Sequence, residues 1–313
     1  MVECFRPTDL AEALEIRGRT AALPFAGGTD LMVRYRAKNG MGPTLPSPLL
    51  FLDAIKELQG LALSPEYLEI GASVPMALVA GDAHSPSPSD AIPHVLRRAA
   101  ADLGALALRQ RATLAGNVAN ASPAGDTLAA LYALAAQVVL RSSGATRVLK
   151  VSDFIVSPGQ TLLAPDEIIT AIRLPQPLPC WSYWRKVGTR RANALTKVSV
   201  AAAASIRYSD TAAHQGIGRD RLISGFTLAF GAVGPTVIDA EEAASLIIGL
   251  QASKLTAMNE GELGALIADL AKRAAPRITP IDDQRSTAHY RKTVALNLIG
   301  DAILSLVSQL KGE

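Results

Sequence analysis

The sequence predicts an α+β protein of two domains, each mixing helix and sheet. Three observations carry this. The chain has 313 residues, enough for about two domains with cores of their own. Apolar residues make up 49% and charged residues 19%, the balance of a globular chain rather than a disordered one. Segments with helical and strand-like patterning fill both halves, and a proline-rich break, PQPLP at 175–179, separates them. Aromatic residues are only 4%, so the core is expected to be built from small aliphatic side chains.

The elements follow in order. Asp9 and Glu12 mark a helix start, continued by Leu10, Ala13 and Leu14. Ala21 to Ala26 reads as a strand, Gly27-Gly28-Thr29-Asp30 as a turn, Leu31 to about Ala37 as a helix, and Leu49 to Leu52 as a strand. Together these make one βαβ unit. Tyr67 to Ala72 reads as a strand. Pro93 to Leu103 reads as a helix with Val95, Leu96, Ala99 and Leu103 on one face. Arg109 to Asp126 reads as a long polar loop, and Asp126 opens an apolar helix from Thr127 to Ala136. Gln137 to Val151 is patterned as a hairpin around Ser142-Ser143-Gly144, and Ile168 to Leu174 as the last strand before the break. Beyond the break, Tyr183 to Tyr208 and Phe226 to Val233 are strand-like. Asp239 to Ile248, Leu263 to Ala274 and Ser286 to Leu310 are helical, and there is no internal repeat.

Several function classes are disfavoured. A net charge of +3 without a dense Lys/Arg block argues against nucleic-acid binding. The start, MVECFRPTDL, has no signal-peptide pattern, and the longest uncharged apolar stretch, Thr127 to Leu140, is too short to span a bilayer. The cytoplasm is therefore the expected location, with no membrane span. Two distant cysteines, Cys4 and Cys180, and four isolated histidines (His84, His94, His214, His289) do not make a metal or cluster site. Gly216-Ile217-Gly218 lacks its third glycine, since Arg221 stands there, and neither a phosphate loop ending in GK[ST] nor a G-x-S-x-G elbow occurs. Asp282-Asp283 reads as a turn or helix cap. No residue is assigned as acid, base or nucleophile.

Two segments carry the candidate chemistry. In Pro24-Phe25-Ala26-Gly27-Gly28-Thr29-Asp30-Leu31, two glycines permit a tight turn and close backbone approach, and the following helix start offers unpaired N–H groups to a phosphate. The plainer alternative is a turn with Thr29 or Asp30 as helix cap. In Arg109 to Asp126, Thr113, Gly116, Asn117, Asn120 and Ser122 supply small hydrogen-bonding groups that can wrap a polar cofactor; the alternative is an ordinary surface loop. Two such segments in one domain can hold the two ends of a dinucleotide. Lys186, in the strand-like run YWRKVGTRR, is either solvated or neutralises a ligand charge.

At these residues the sequence resembles the FAD-binding subunits and domains of the xanthine dehydrogenase (molybdenum hydroxylase) family, over nearly the whole chain. The landmarks are AGGTDL at 26–31, RQRATLAGN at 109–117, NASPAGD at 120–126, DEIITAIRLP at 166–175, YWRKVGTRRA at 183–192 and IDDQRSTAHYR at 281–291. The resemblance implies a two-subdomain FAD-binding domain of the PCMH type at 1–175, divided at about 57/58, and a smaller C-terminal domain of sheet plus helices at 180–313. It implies that Pro24 to Leu31 wraps the FAD pyrophosphate, and that Thr113, Gly116, Asn117, Asn120 and Ser122 contact the cofactor. By the same resemblance Leu103, Asp126, Ile169 and Lys186 are expected to touch it too, Asp126 binding a polar part of FAD, Ile169 lying by the flavin and Lys186 supplying positive charge. The implied partners are a large subunit carrying the molybdenum cofactor and a small 2Fe–2S subunit, with NAD or another acceptor taking the electrons. A flavin-free assembly subunit or a stand-alone FAD oxidoreductase are the alternatives. Ala115 stands where the family often has glycine. The direct run from Asn120 to Asp126 lacks the cysteine-bearing insertion of hydroxybenzoyl-CoA reductase subunits, so that subgroup is disfavoured.

Overall fold

The computed structural model describes residues 3–36, 44–46, 48–82, 91–208 and 220–312. The chain runs β1 (Cys4–Phe5), α1 (Leu10–Thr20), β2 (Leu23–Phe25), α2 (Thr29–Arg34), β3 (Leu49–Phe51), β4 (Leu61–Leu63), β5 (Tyr67–Gly71) and α3 (Met76–Ala80). Next come α4 (His94–Ala101), α5 (Leu106–Arg109), α6 (Leu114–Asn120), α7 (Leu128–Ala133), β6 (Gln137–Arg141), β7 (Thr146–Lys150), α8 (Val151–Phe154), β8 (Ile155–Ser157), β9 (Gln160–Thr161) and β10 (Ile168–Pro175). The rest is β11 (Trp181–Gly188), β12 (Thr196–Tyr208), β13 (Arg221–Gly231), β14 (Ile238–Asp239), α9 (Glu241–Ala244), α10 (Ala252–Ala257), α11 (Glu260–Ala274) and α12 (Ala288–Lys311). The α+β class holds, and these elements fall into two compact units. One comprises Met1–Ile92, Ala100–Ser122 and Ala135–Pro177; the other comprises Pro93–Ala99, Pro123–Leu134 and Leu178–Glu313.

The first unit holds two main sheets. A small parallel one has the order β1-β3-β2, and an antiparallel one has the order β4-β5-β10-β6-β7. Helix α1 starts where the sequence places it, because the Asp9 carboxylate accepts the Glu12 N–H at 2.9 Å. The β2–turn–α2–β3 crossover is present with β2 and β3 parallel, although α2 ends at Arg34; Ala37 lies outside the described residues. At the end of β5 the chain folds tightly over the turn before β4, and a Cβ on Gly71 would lie 2.3 Å from the Leu58 carbonyl oxygen.

The second unit is one antiparallel sheet, β11-β12-β13-β14, covered by helices. β12 reads as an almost unbroken apolar run because both its faces are buried. Val198, Val200, Ala202 and Ala204 join the core with Leu298, Ile299, Ile303 and Leu306 of α12, while Ala201 and Ala203 lie on the alternate face. α7 packs on β12 and β13, fastened where the Thr227 hydroxyl donates to the Ala133 carbonyl at 2.7 Å. The most apolar long helix among the described residues is α12. It is long and apolar enough to cross a bilayer by length and composition, unlike 127–140, yet it is built into this core. The helix expected over 239–248 shortens to α9. The pattern at 216–218, together with His84 and His214, lies outside the described residues.

Two glycines give opposite expectations. Gly71→Ala should destabilise by about 1–3 kcal/mol, because its methyl meets backbone that cannot swing aside. Gly264→Ala, with open space at its Cβ on α11, should stabilise by up to about 1 kcal/mol. Thermal or urea denaturation of the two variants reads the signs.

Candidate functional site

Within the first unit, the two segments singled out by sequence meet. The chain leaves β2 at Phe25 and turns through Ala26, Gly27 and Gly28 into α2. Gly27 lies directly against the backbone of the second segment: a Cβ there would sit 1.9 Å from the Arg111 carbonyl oxygen. Gly28 takes a left-handed φ of +72°, and a Cβ on it would lie 2.2 Å from Cζ of the Phe25 ring. That ring is itself buried and packed on Phe51 with centroids 4.9 Å apart. Arg34, at the other end of α2, donates to the Asn120 side-chain oxygen at 2.7 Å. Sequence reasoning missed Arg34; its only signal is a cation one helical turn after Asp30.

The cap alternative for this turn is not what forms. Gly28 occupies the N-cap with no side-chain hydrogen bond, and Thr29 and Asp30 lie inside the first turn of α2. Those first-turn N–H groups therefore have no intrahelical acceptor and no capping side chain. Pro24, Ala26, Gly27, Gly28, Thr29 and Leu31 are half-buried. Asp30 is exposed at the surface, yet desolvation by the surrounding protein raises its carboxyl pKa, with Arg34 pulling the other way.

The second segment corrects the expectation of a long loop. It contains a helix, α6, because Thr113 caps it by accepting the Gly116 N–H at 3.0 Å and because Leu114, Ala115 and Val118 are buried. Ala115 is a core residue of this helix, which explains why a methyl is accommodated where the family often has glycine. Thr113 is itself buried at 6% exposure, while Gly116, Asn117, Asn120 and Ser122 remain half-buried. α6 packs on β10, which carries Ile169, buried at 6% exposure beside a register shift. Leu103 lies half-buried in the turn after α4, its carbonyl accepting from Arg109 at 3.2 Å.

In the second unit, Asp126 and Lys186 are brought together across 60 positions of sequence. The Lys186 ammonium donates to Asp126 Oδ2 at 2.8 Å, with side chains only 7% and 12% exposed. Asp126 does not cap the following helix: α7 starts at Leu128, and Thr127 holds the N-cap position without a side-chain bond. The second carboxylate oxygen, Oδ1, accepts instead from the Thr196 hydroxyl, a residue with no motif signal. The segment is held over the sheet where the Ala232 N–H donates to the Pro123 carbonyl at 2.8 Å. Lys186 is thus neither solvated nor isolated. It is half of a nearly buried ion pair.

With this geometry in view, comparison with known proteins is direct. Residues 1–177 match the family model described as FAD binding domain in molybdopterin dehydrogenase, and residues 183–306 match that of the CO dehydrogenase flavoprotein C-terminal domain. The chain belongs to this family of flavoprotein components of molybdopterin-dependent dehydrogenases, and its cofactor is FAD. Among its relatives is the glyceraldehyde dehydrogenase medium chain of Sulfolobus acidocaldarius, 27% identical over 92% of each protein. Xanthine dehydrogenase of Emericella nidulans is 25% identical over 99% of this chain, which spans 22% of that longer protein. The solved quinoline 2-oxidoreductase of Pseudomonas putida 86 shares the fold, with a TM-score of 0.80 at 20% identity over 99% of this chain and 98% of that one.

The residues present fit that cofactor. The first unit has a glycine turn and uncapped N–H groups that suit a phosphate, with Thr29 in that turn and Asn117, Asn120 and Ser122 in the segment that meets it at Gly27 and Arg34. The second unit, taken by itself, holds a nearly buried cation and carboxylate in Lys186 and Asp126.

The ion pair sets a measurable coupling. Lys186→Met alone leaves a nearly buried carboxylate without its cation and should cost about 3 kcal/mol, whereas Lys186→Met with Asp126→Asn should recover a large part of it. Urea denaturation of the cofactor-free wild type, both single variants and the double variant gives the cycle. Additive losses would show that the pair is not coupled.

Proposed function

We propose that this chain is the electron-transfer flavin subunit of a molybdenum hydroxylase complex. It takes electrons from a 2Fe–2S subunit, which receives them from a large subunit carrying the molybdenum cofactor, and delivers them to NAD or another acceptor. The observation that carries the proposal is the uncapped, glycine-lined start of α2 packed against the second polar segment, a geometry that suits a phosphate, in an FAD-family chain. The Sulfolobus relative's designation as a medium chain supports a multi-subunit assembly. The cytoplasm is the proposed location, and the break near residues 175–180 the proposed domain boundary.

In this reading Pro24, Phe25, Ala26, Gly27, Gly28, Thr29, Asp30 and Leu31 form the pyrophosphate cradle. Backbone N–H groups at the start of α2 hold the phosphates, and Gly28 keeps the approach free of side chain. Thr113 acts through the helix it caps, while Gly116, Asn117, Asn120 and Ser122 bind the cofactor directly. Leu103 and Ile169 give apolar contact. Asp126 accepts from a polar part of FAD, and Lys186 places positive charge at the flavin. Bound FAD supplies the exchange between single-electron and paired-electron transfer. The chain's own residues bind and orient it and set its potential. None of them is assigned acid–base chemistry on an organic substrate.

The test follows flavin absorbance without oxygen, with the chain expressed alone and with the products of its genomic neighbours. Candidate purines, pyridines and other aromatic substrates should bleach the flavin only in the complex. Bleaching of the isolated chain by the same substrate would overturn the proposal in favour of a stand-alone flavoenzyme. A complex active without flavin here would favour an assembly role.

A further inference from the structure

Thr196 is the first residue of β12 and only 2% exposed, and its orientation depends on an irregularity in the sheet. Along β11 and β12, Lys186 pairs with Ser199 and Val187 with Val198, but Gly188 pairs with Thr196. Lys197 is therefore an extra residue on β12, a β-bulge. In an unbroken strand side chains alternate, so Thr196 would share the face of Val198 and Val200, which point into the helix-covered core. The extra residue reverses that phase. Thr196 instead joins Lys186 and Ser199 on the face where Asp126 lies, and its hydroxyl donates to Asp126 Oδ1 while Lys186 donates to Oδ2. Both oxygens of one carboxylate are thus held by donors from neighbouring strands.

We propose that Thr196 is a positioning residue for the flavin: by holding Asp126 Oδ1 it fixes the carboxylate plane and so the direction and effective charge that Lys186 presents to the cofactor. This rests on the assignment of Asp126 and Lys186 to the flavin. A carboxylate bound on both oxygens shares its negative charge between two donors. Without the hydroxyl, that charge falls more fully on Lys186, which then offers less positive field to a reduced flavin. Reduction becomes harder.

The experiment measures the midpoint potential and absorption spectrum of FAD on the full chain, by anaerobic dye equilibration, for wild type, Thr196→Val, Thr196→Ser and Lys186→Met. A hydrogen bond to a charged group sets the scale, so Thr196→Val should shift the reduced/oxidised equilibrium about tenfold toward oxidised. That corresponds to about 30 mV for a two-electron couple. Thr196→Ser, which keeps the hydroxyl, should stay within about twofold of wild type. If Lys186→Met moves the potential and Thr196→Val does not, the positioning role is wrong. If Lys186→Met also leaves potential and spectrum unchanged, the placement of Lys186 at the flavin is what fails. Should Thr196→Val not fold or not retain FAD, Thr196→Ala and Thr196→Ser are compared in its place. A shifted alanine variant beside an unshifted serine variant supports the role, and two equal potentials overturn it.

Discussion

The second unit is constrained by a charge pair held out of water. Removing a carboxylate and an ammonium from solvent costs several kcal/mol per ion unless the pair is close and its remaining hydrogen-bonding capacity is filled. Asp126 and Lys186 meet that demand: they are 2.8 Å apart, nearly buried, and Thr196 fills the other carboxylate oxygen. The cost of leaving either ion alone fixes much around it. The 123–127 segment must lie over the sheet, which the Pro123–Ala232 hydrogen bond achieves, and β12 must be bulged to turn Thr196 toward the carboxylate.

In the first unit the constraint is close approach rather than charge. Gly27 lets one backbone lie on another at Arg111, and Gly28 takes a conformation over Phe25 that a side chain would obstruct. The result is a helix start whose N–H groups no side chain satisfies. Such a terminus suits an anion, and FAD brings two phosphates. The same two glycines that pack the fold also leave this helix start without a covering side chain.

Local features were legible in the sequence where a few adjacent residues decide the outcome. The Asp9 cap of α1, the glycine turn between β2 and α2 and the hairpin of β6 and β7 fall in this class. The two candidate segments stood out as motifs, but their conformations were less legible. α6 hid in LAGNVAN because glycine and asparagine are poor helix formers, and its stability comes from the Thr113 cap and from burying Leu114, Ala115 and Val118. Thr196 was invisible because its orientation is set by a register shift, which exists only once the partner strand is in place. Pairing of Lys186 with Asp126 is likewise a tertiary fact.

This fold holds a flavin dinucleotide. Mass analysis of the cofactor released from the purified chain, with its amount per chain, tests it most directly. FAD approaching one per chain is the expected result. FMN in its place, or no flavin after expression with ample riboflavin, would contradict it.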